Sequence, residues 1–104
     1  MKVTQVNNNT RPLFFEQGEW LCLMDTIDLV YDILDKPVKD NLRYGYGRTV
    51  GYPIIDKLAT ALEQFLEDNR EMERVENDCF HTVEVNRVQD FIRYIRLAQE
   101  IQVR

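Results

Sequence analysis

The chain has 104 residues, of which 44% are hydrophobic and 30% charged, and its formal net charge at pH 7 is -5. This length suits a single domain, residues 1–104, with one modest core, and the composition excludes the intrinsically disordered class. The negative charge disfavours non-specific binding to nucleic acid or to an anionic membrane, because the overall field repels phosphate.

The sequence indicates neither a membrane protein nor a secreted one. The first residues contain no continuous apolar segment of the kind found in signal peptides, and no window approaches the roughly 18 apolar residues of a membrane span. The two cysteines, Cys22 and Cys79, do not make a disulfide framework. We therefore expect a cytoplasmic protein with two free thiols.

The first 15 residues are predicted to be loop, with a short strand or a strand at the edge of a sheet. Asn7 to Thr10 is a cluster of turn-forming residues, and Pro12 cannot itself sit in a central strand because it lacks a backbone N–H. The apolar residues at 13–15 are expected to cover one end of the core.

A helix is predicted from about residue 19 to residue 35, in the most apolar stretch of the chain. Its apolar residues recur at i, i+3, i+4 and i+7 and spread around most of the helix circumference. Covering such a helix takes two neighbouring elements, or one neighbour and a second subunit, so a homodimer is one hypothesis. The residues with this spacing are Trp20, Leu23, Met24, Ile27, Val30, Tyr31 and Leu34.

One narrow strip of this helix is charged. Its members, Asp25, Asp28, Asp32 and Asp35, are three or four residues apart and therefore share one face. Surface helices usually turn such a strip toward solvent. The alternative is an acidic ridge that docks a basic partner.

The segment from residue 36 to residue 52 is predicted to be a long loop, because Pro37 disfavours continuation of the helix and three of the four glycines of the chain lie here. Loops of this length in small domains are usually functional or mobile. Cations interleaved with aromatic rings are typical of protein hot spots and also of surfaces that stack single-stranded nucleic acid. The candidate binding residues are Arg43, Tyr44, Tyr46, Arg48 and Tyr52.

Two more helices are predicted after this loop. The first spans about residues 53–68 with Pro53 in its first turn, and it either ends near Asn69 or continues beyond it. The second spans about residues 83–99 and is capped by Thr82.

A final short strand is predicted from the alternation of Ile101 and Val103 with polar residues, and we expect it to pair with residues 2–6. The sequence as a whole therefore predicts a helix-dominated α+β domain. It has three main helices, short terminal strands and one long loop rich in glycine, tyrosine and arginine.

Catalytic and metal sites are not indicated. His81 is the one histidine, and the neighbouring Cys79 is a nucleophile candidate without a recognisable orienting group. Asp78, Cys79 and His81 offer three donors, whereas a structural zinc site takes four. The glycines of residues 45–51 lack the spacing of phosphate-binding loops and are expected to supply turn geometry. We expect no enzymatic activity, no metal and no cofactor.

Residues 44–104 resemble a group of small uncharacterised bacterial proteins. The likeness rests on YGYGRTVGYPIIDKLATALEQFL and on VEVNRVQDFIRYIRLAQEIQV, a glycine-containing loop followed by two apolar-patterned helices and an apolar tail. This resemblance implies a compact cytosolic module of the immunity or regulatory kind, and it implies no catalytic residues.

These observations predict a non-enzymatic protein-binding or regulatory module. The alternative is a nucleic-acid or phosphate-ligand binder that uses residues 43–52. The overall acidity favours a protein partner over nucleic acid.

Overall fold

The computed structural model describes residues 1–30 and 34–104, without the side chains of residues 29 and 30. Within these residues the chain forms an α+β domain of helices and short strands, as the sequence predicts. The helices are α1 (Gln17–Val30), α2 (Lys36–Tyr44), α3 (Ile54–Asp68) and α4 (Val85–Arg96). The strands are β1 (Lys2–Gln5), β2 (Leu13–Phe14), β3 (Val50–Gly51), β4 (Arg74–Glu76), β5 (Thr82–Glu84) and β6 (Glu100–Val103).

The two ends of the chain form the centre of an antiparallel sheet with the order β2-β1-β6-β3. Val3 is opposite Val103, and Val50 is opposite Ile101. These four valine and isoleucine side chains are buried, because alternate residues of each strand point toward the helices. The predicted pairing of the two terminal strands is therefore confirmed.

Helix α1 is covered by other parts of the same chain. It contacts α2, α3 and the hairpin of β4 and β5, and its residues Trp20, Leu23 and Ile27 are buried. Trp20 also packs against the rings of Phe15 and Phe91, with centroids 5.5 and 5.7 Å away. The apolar surface that suggested a homodimer is thus covered within one chain wherever the structure describes its side chains. Self-association stays a prediction, but an uncovered apolar face of α1 no longer supports it.

The predicted long loop is wrong in its first half, because residues 36–44 form α2. Pro37 lies in the first turn of this helix, where a missing N–H costs nothing, so it starts a helix and does not merely end one. Leu42 anchors the helix to the core at 1% exposure and accepts a hydrogen bond of 2.9 Å from the indole N–H of Trp20. Gly45 ends the helix with a left-handed φ of 69°.

The last predicted helix, 83–99, is too long at both ends. Residues 82–84 form β5, which pairs with β4, so Thr82 is not the N-cap and α4 starts at Val85. Three residues of alternating burial give too short a period-2 pattern to be recognised beside a strong helical one. At the other end the chain leaves the helix after Arg96 and enters β6.

The other predicted helix, 53–68, is confirmed to within one residue. The sequence left open whether this helix ends near Asn69 or continues beyond it. In the structure it ends there, because the chain leaves α3 at Asn69. The Asn69 side chain donates a hydrogen bond of 2.8 Å to the carbonyl of Phe65 and so binds one of the free carbonyls at the helix end. In the part of the chain that the structure describes, no helix combines the length and apolarity needed to cross a membrane.

Candidate functional site

The segment that joins α2 to β3 presents two tyrosines to solvent. We call residues 44–48 the tyrosine loop. Tyr44 and Tyr46 expose 58% and 60% of their surface, and their ring centroids are 6.0 Å apart with 34° between the ring planes. Arg48 is exposed on the same segment. The tyrosine loop therefore offers two neighbouring aromatic surfaces to a partner, and it also contains an exposed arginine.

A single buried residue, Asn41, holds the backbone of the tyrosine loop. Its carbonyl accepts the N–H groups of Gly45 and Tyr46 at 3.0 and 3.1 Å. Its side-chain amide binds both backbone groups of Arg48, accepting from the N–H and donating to the carbonyl, each at 3.0 Å. Asn41 is 3% exposed. The loop is thus tied to a helix through four hydrogen bonds, although nothing in its own composition indicates such order.

Two glycines let the tyrosine loop pass close to the chain ends. Gly45 and Gly47 have φ values of 69° and 80°, where side chains are disfavoured. A Cβ on Gly45 would lie 2.7 Å from Met1 Cε, and one on Gly47 would lie 2.6 Å from Arg104 Nε. The Gly47 N–H also donates to the Val103 carbonyl at 3.0 Å. These glycines supply turn geometry, as the sequence predicts.

Of the five predicted binding residues, the structure brings the rings of Tyr44 and Tyr46 into contact. Tyr44, Tyr46 and Arg48 belong to the tyrosine loop. Arg43 is turned toward α1, where its guanidinium binds Asp25 at 2.6 Å, and this hydrogen bond raises the pKa of Arg43. Tyr52 follows β3 at the far end of that strand, with 82% of its surface exposed.

The acidic strip of α1 contacts α2. Asp25 accepts hydrogen bonds from Arg43 and from the side-chain amide of Asn77, at 2.6 and 2.8 Å, and Asp28 forms an ion pair of 3.3 Å with Lys39. The basic groups that bind these two carboxylates are thus supplied by the same chain.

The remaining two members of the strip differ from this pair. The helix predicted for residues 19–35 is wrong at Asp35, which has an extended backbone and is the exposed N-cap of α2. Its carbonyl accepts two backbone N–H groups, and its carboxylate makes no cap hydrogen bond. Asp32 lies outside the described residues.

The turn between β4 and β5 contains the cysteine and histidine that the sequence singled out. The Asn77 side-chain oxygen accepts the N–H groups of Cys79 and His81 at 3.1 and 2.8 Å. The Cys79 thiol is exposed, and Nδ1 of His81 is buried without a hydrogen-bond partner among the described residues. Phe80, between them, has a φ of 63° and is 82% exposed. Across the described chain, no three histidine, cysteine or acidic side chains are grouped as a metal would need.

A surface cavity of about 860 Å³ forms a groove between α3 and α4. Leu66 and Ile92 line it, and its charged rim is paired internally. Arg96 binds Glu63, for example, and Arg70 binds Glu67. Because these charges neutralise one another, the groove carries less recognition chemistry than the tyrosine loop.

Comparison of the chain with protein-family models, with curated proteins and with solved structures finds no match. The resemblance to small bacterial proteins therefore stays a prediction.

Proposed function

We propose that this chain is a non-enzymatic protein-binding module and that the tyrosine loop is its contact surface. The observation that carries this proposal is the pair of exposed rings, Tyr44 and Tyr46, on a backbone that Asn41 holds in place. Tyrosine and arginine are the residue types most enriched among binding hot spots, together with tryptophan.

The order of the tyrosine loop favours tight binding. A flexible loop loses conformational entropy when it docks, and each immobilised side chain costs about 0.5–1.5 kcal/mol more. Here the four hydrogen bonds from Asn41 have already fixed the backbone. Tyrosine side chains add large contact area with only two rotatable bonds, so little further entropy is lost.

A nucleic-acid or phosphate-ligand binder is the alternative that uses the same residues. Two features of the chain favour protein over it. Arg43 is committed to Asp25, which leaves Arg48 as the free guanidinium of the predicted set. The chain as a whole also has a net charge of -5, which repels a polyanion.

The test uses the full chain immobilised through the exposed thiol of Cys79, with native cell extract passed over it before and after nuclease treatment. Partner affinity is then measured for the wild type and for single alanine variants. We expect Tyr46→Ala to weaken binding at least tenfold, about 1.4 kcal/mol, as for a hot-spot residue.

Tyr52→Ala is the matched control, since it removes the same side chain from a more exposed position at the other end of β3. It should change the affinity less than about twofold, which is the usual size of effect outside a hot spot. Equal effects of the two substitutions would contradict the proposal. Loss of the captured partner on nuclease treatment would favour the nucleic-acid alternative.

A further inference from the structure

The tyrosine loop lies among cations. The Arg104 side chain packs against Gly47, close enough that a Cβ there would meet its Nε, and Arg48 belongs to the loop itself. The pKa of Lys36 is raised mainly by its hydrogen bond to Asp40 and, to a smaller extent, by the nearby phenols of Tyr44 and Tyr46. Lys36 therefore lies near the two rings, and Arg104 lies beside Gly47, the neighbour of Arg48 in the tyrosine loop.

Two of these three cations have no ion-pair partner among the described residues. Lys36 forms an ion pair of 2.6 Å with Asp40, but none of the ion pairs among the described residues involves Arg48 or Arg104. The chain as a whole has a net charge of -5. A locally basic, aromatic surface on an acidic protein attracts a short anionic segment and repels large anions that extend beyond the patch.

We infer that the partner of the tyrosine loop is an acidic peptide segment whose apolar side chain packs on the rings of Tyr44 and Tyr46 while its carboxylates bind Arg48 and Arg104. This inference rests on the proposed function of the loop. A carboxylate matches the planar guanidinium with two parallel hydrogen bonds, which makes arginine a good receptor for glutamate and aspartate. An aromatic or proline side chain can pack on the ring faces, and this contact buries no polar group of the tyrosines.

A long polyanion fits this surface less well. Single-stranded nucleic acid has a phosphate on every nucleotide, so a strand that leaves the patch runs over the acidic remainder of the molecule. A peptide with a few carboxylates around one apolar residue ends before it meets those charges. The charge distribution thus favours acidic protein over nucleic acid, and the experiment separates the two.

The experiment measures fluorescence anisotropy of labelled probes with the full chain. The probes are a peptide with glutamates on both sides of a central tryptophan, the same peptide with glutamine for glutamate, and oligothymidylate. We expect the glutamate peptide to bind at least tenfold more tightly than the glutamine peptide and than oligothymidylate, and its affinity to fall several-fold as salt is raised.

Variants connect this preference to named residues. Arg48→Gln should lower the affinity for the glutamate peptide about fivefold or more and leave the affinity for the glutamine peptide unchanged. Arg74→Gln, which makes the same charge change at an exposed residue of β4, is the control and should have an effect of less than twofold. Tyr46→Ala should weaken both peptides, because it removes the ring and not the charge.

Several outcomes would overturn the inference. These are equal affinity for the two peptides, tighter binding of oligothymidylate, equal effects of Arg48→Gln and Arg74→Gln, or no binding of either peptide. If one of these results is found while Tyr46→Ala still weakens binding of the partner captured from extract, only the inference of an acidic segment is refuted, and the proposed function stands. If Tyr46→Ala affects neither that partner nor the peptides, the proposed function itself fails.

Discussion

Phe80 shows at the scale of one residue how this chain departs from the conformation that its sequence favours. A φ of 63° is unusual for a residue with a bulky side chain, and the ring is 82% exposed, so the position gains little from burial. The turn is imposed by Asn77, whose side chain accepts two N–H groups and whose carbonyl accepts the N–H of Phe80. Local hydrogen bonds thus hold a strained, exposed phenylalanine.

Replacing Phe80 should therefore stabilise the fold when the new residue tolerates a positive φ. We expect Phe80→Gly to raise the free energy of unfolding by about 0.5–1 kcal/mol, since glycine relieves the strain at a small cost in unfolded-state entropy. Urea denaturation followed by tryptophan fluorescence measures this change through Trp20.

Phe80→Ala separates strain from the loss of the ring. Alanine removes the exposed ring but keeps a Cβ in the left-handed conformation, so its stability should stay within about 0.5 kcal/mol of the wild type. If the alanine variant gains as much as the glycine variant, the benefit comes from deleting exposed apolar surface and the strain argument is wrong.

At the scale of the element, α2 and the tyrosine loop form one unit with Asn41 at its centre. Asparagine is usually unfavourable inside a helix because its amide competes for backbone groups. Here that tendency is used, since Asn41 lies near the end of α2 and binds the chain that leaves it. The order of the tyrosine loop thus depends on a residue outside the loop.

Asn41→Ala should loosen this unit before it unfolds the domain. Removing the amide leaves both backbone groups of Arg48 without their partner, and we expect a loss of about 1–3 kcal/mol of stability. The rate of amide hydrogen exchange should increase most at Arg48, while the amides of Val3 and Ile101 in the sheet keep their protection.

Asn86→Ala is the control, because Asn86 is an exposed residue of α4. It should leave both the stability and the exchange at Arg48 within experimental error of the wild type. Unchanged exchange at Arg48 in the Asn41 variant would mean that the loop is held by its glycines and its contacts with the chain ends alone.

The elements whose patterns are long and periodic could be predicted from the sequence. Helices α1, α3 and α4 each repeat their apolar residues over several turns, and the pairing of β1 with β6 follows from their alternation. Helix α2 and the hairpin of β4 and β5 could not, because two helical turns or three strand residues contain too few positions to define a period.

For the candidate site, the sequence could predict only which residue types cluster and where along the chain they do so. Clustered tyrosine and arginine indicated residues 43–52, but the sequence could not show that Arg43 turns away to Asp25 or that Tyr52 lies at the other end of β3. Both outcomes depend on contacts between residues that are far apart in sequence. Asn41 gave no signal at all, since nothing local distinguishes it from a surface asparagine.

For the whole molecule, Asp25 is the point where three parts of the chain meet. It lies on α1 and binds Arg43 of α2 and Asn77 of the turn between β4 and β5. Its side chain is 28% exposed, so these bonds are partly shielded from water. The Asp25 carboxylate thus contacts both the helix that precedes the tyrosine loop and the turn that contains Phe80.

A double-mutant cycle on Asp25 and Arg43 tests how much this junction contributes. We expect a coupling energy of about 1 kcal/mol between Asp25→Ala and Arg43→Ala in urea unfolding, the upper range for a partly exposed pair. Glu67 and Arg70, whose side chains are 59% and 74% exposed, form the comparison pair. Their coupling should be about 0.3 kcal/mol or less. Equal coupling in the two cycles would show that Asp25 is an ordinary surface residue.

The adjacency of the first and last strands bears on how this protein can be engineered. Lys2 and Arg104 exchange two backbone hydrogen bonds, of 2.7 and 2.9 Å, and Arg104 packs on Gly47. An affinity tag fused at either of these positions would therefore sit against the tyrosine loop and obstruct it. A short linker between the two positions, with new ends opened in the exposed turn at Asn8 and Asn9, gives a circular permutant that keeps the sheet and moves every fusion away from that loop.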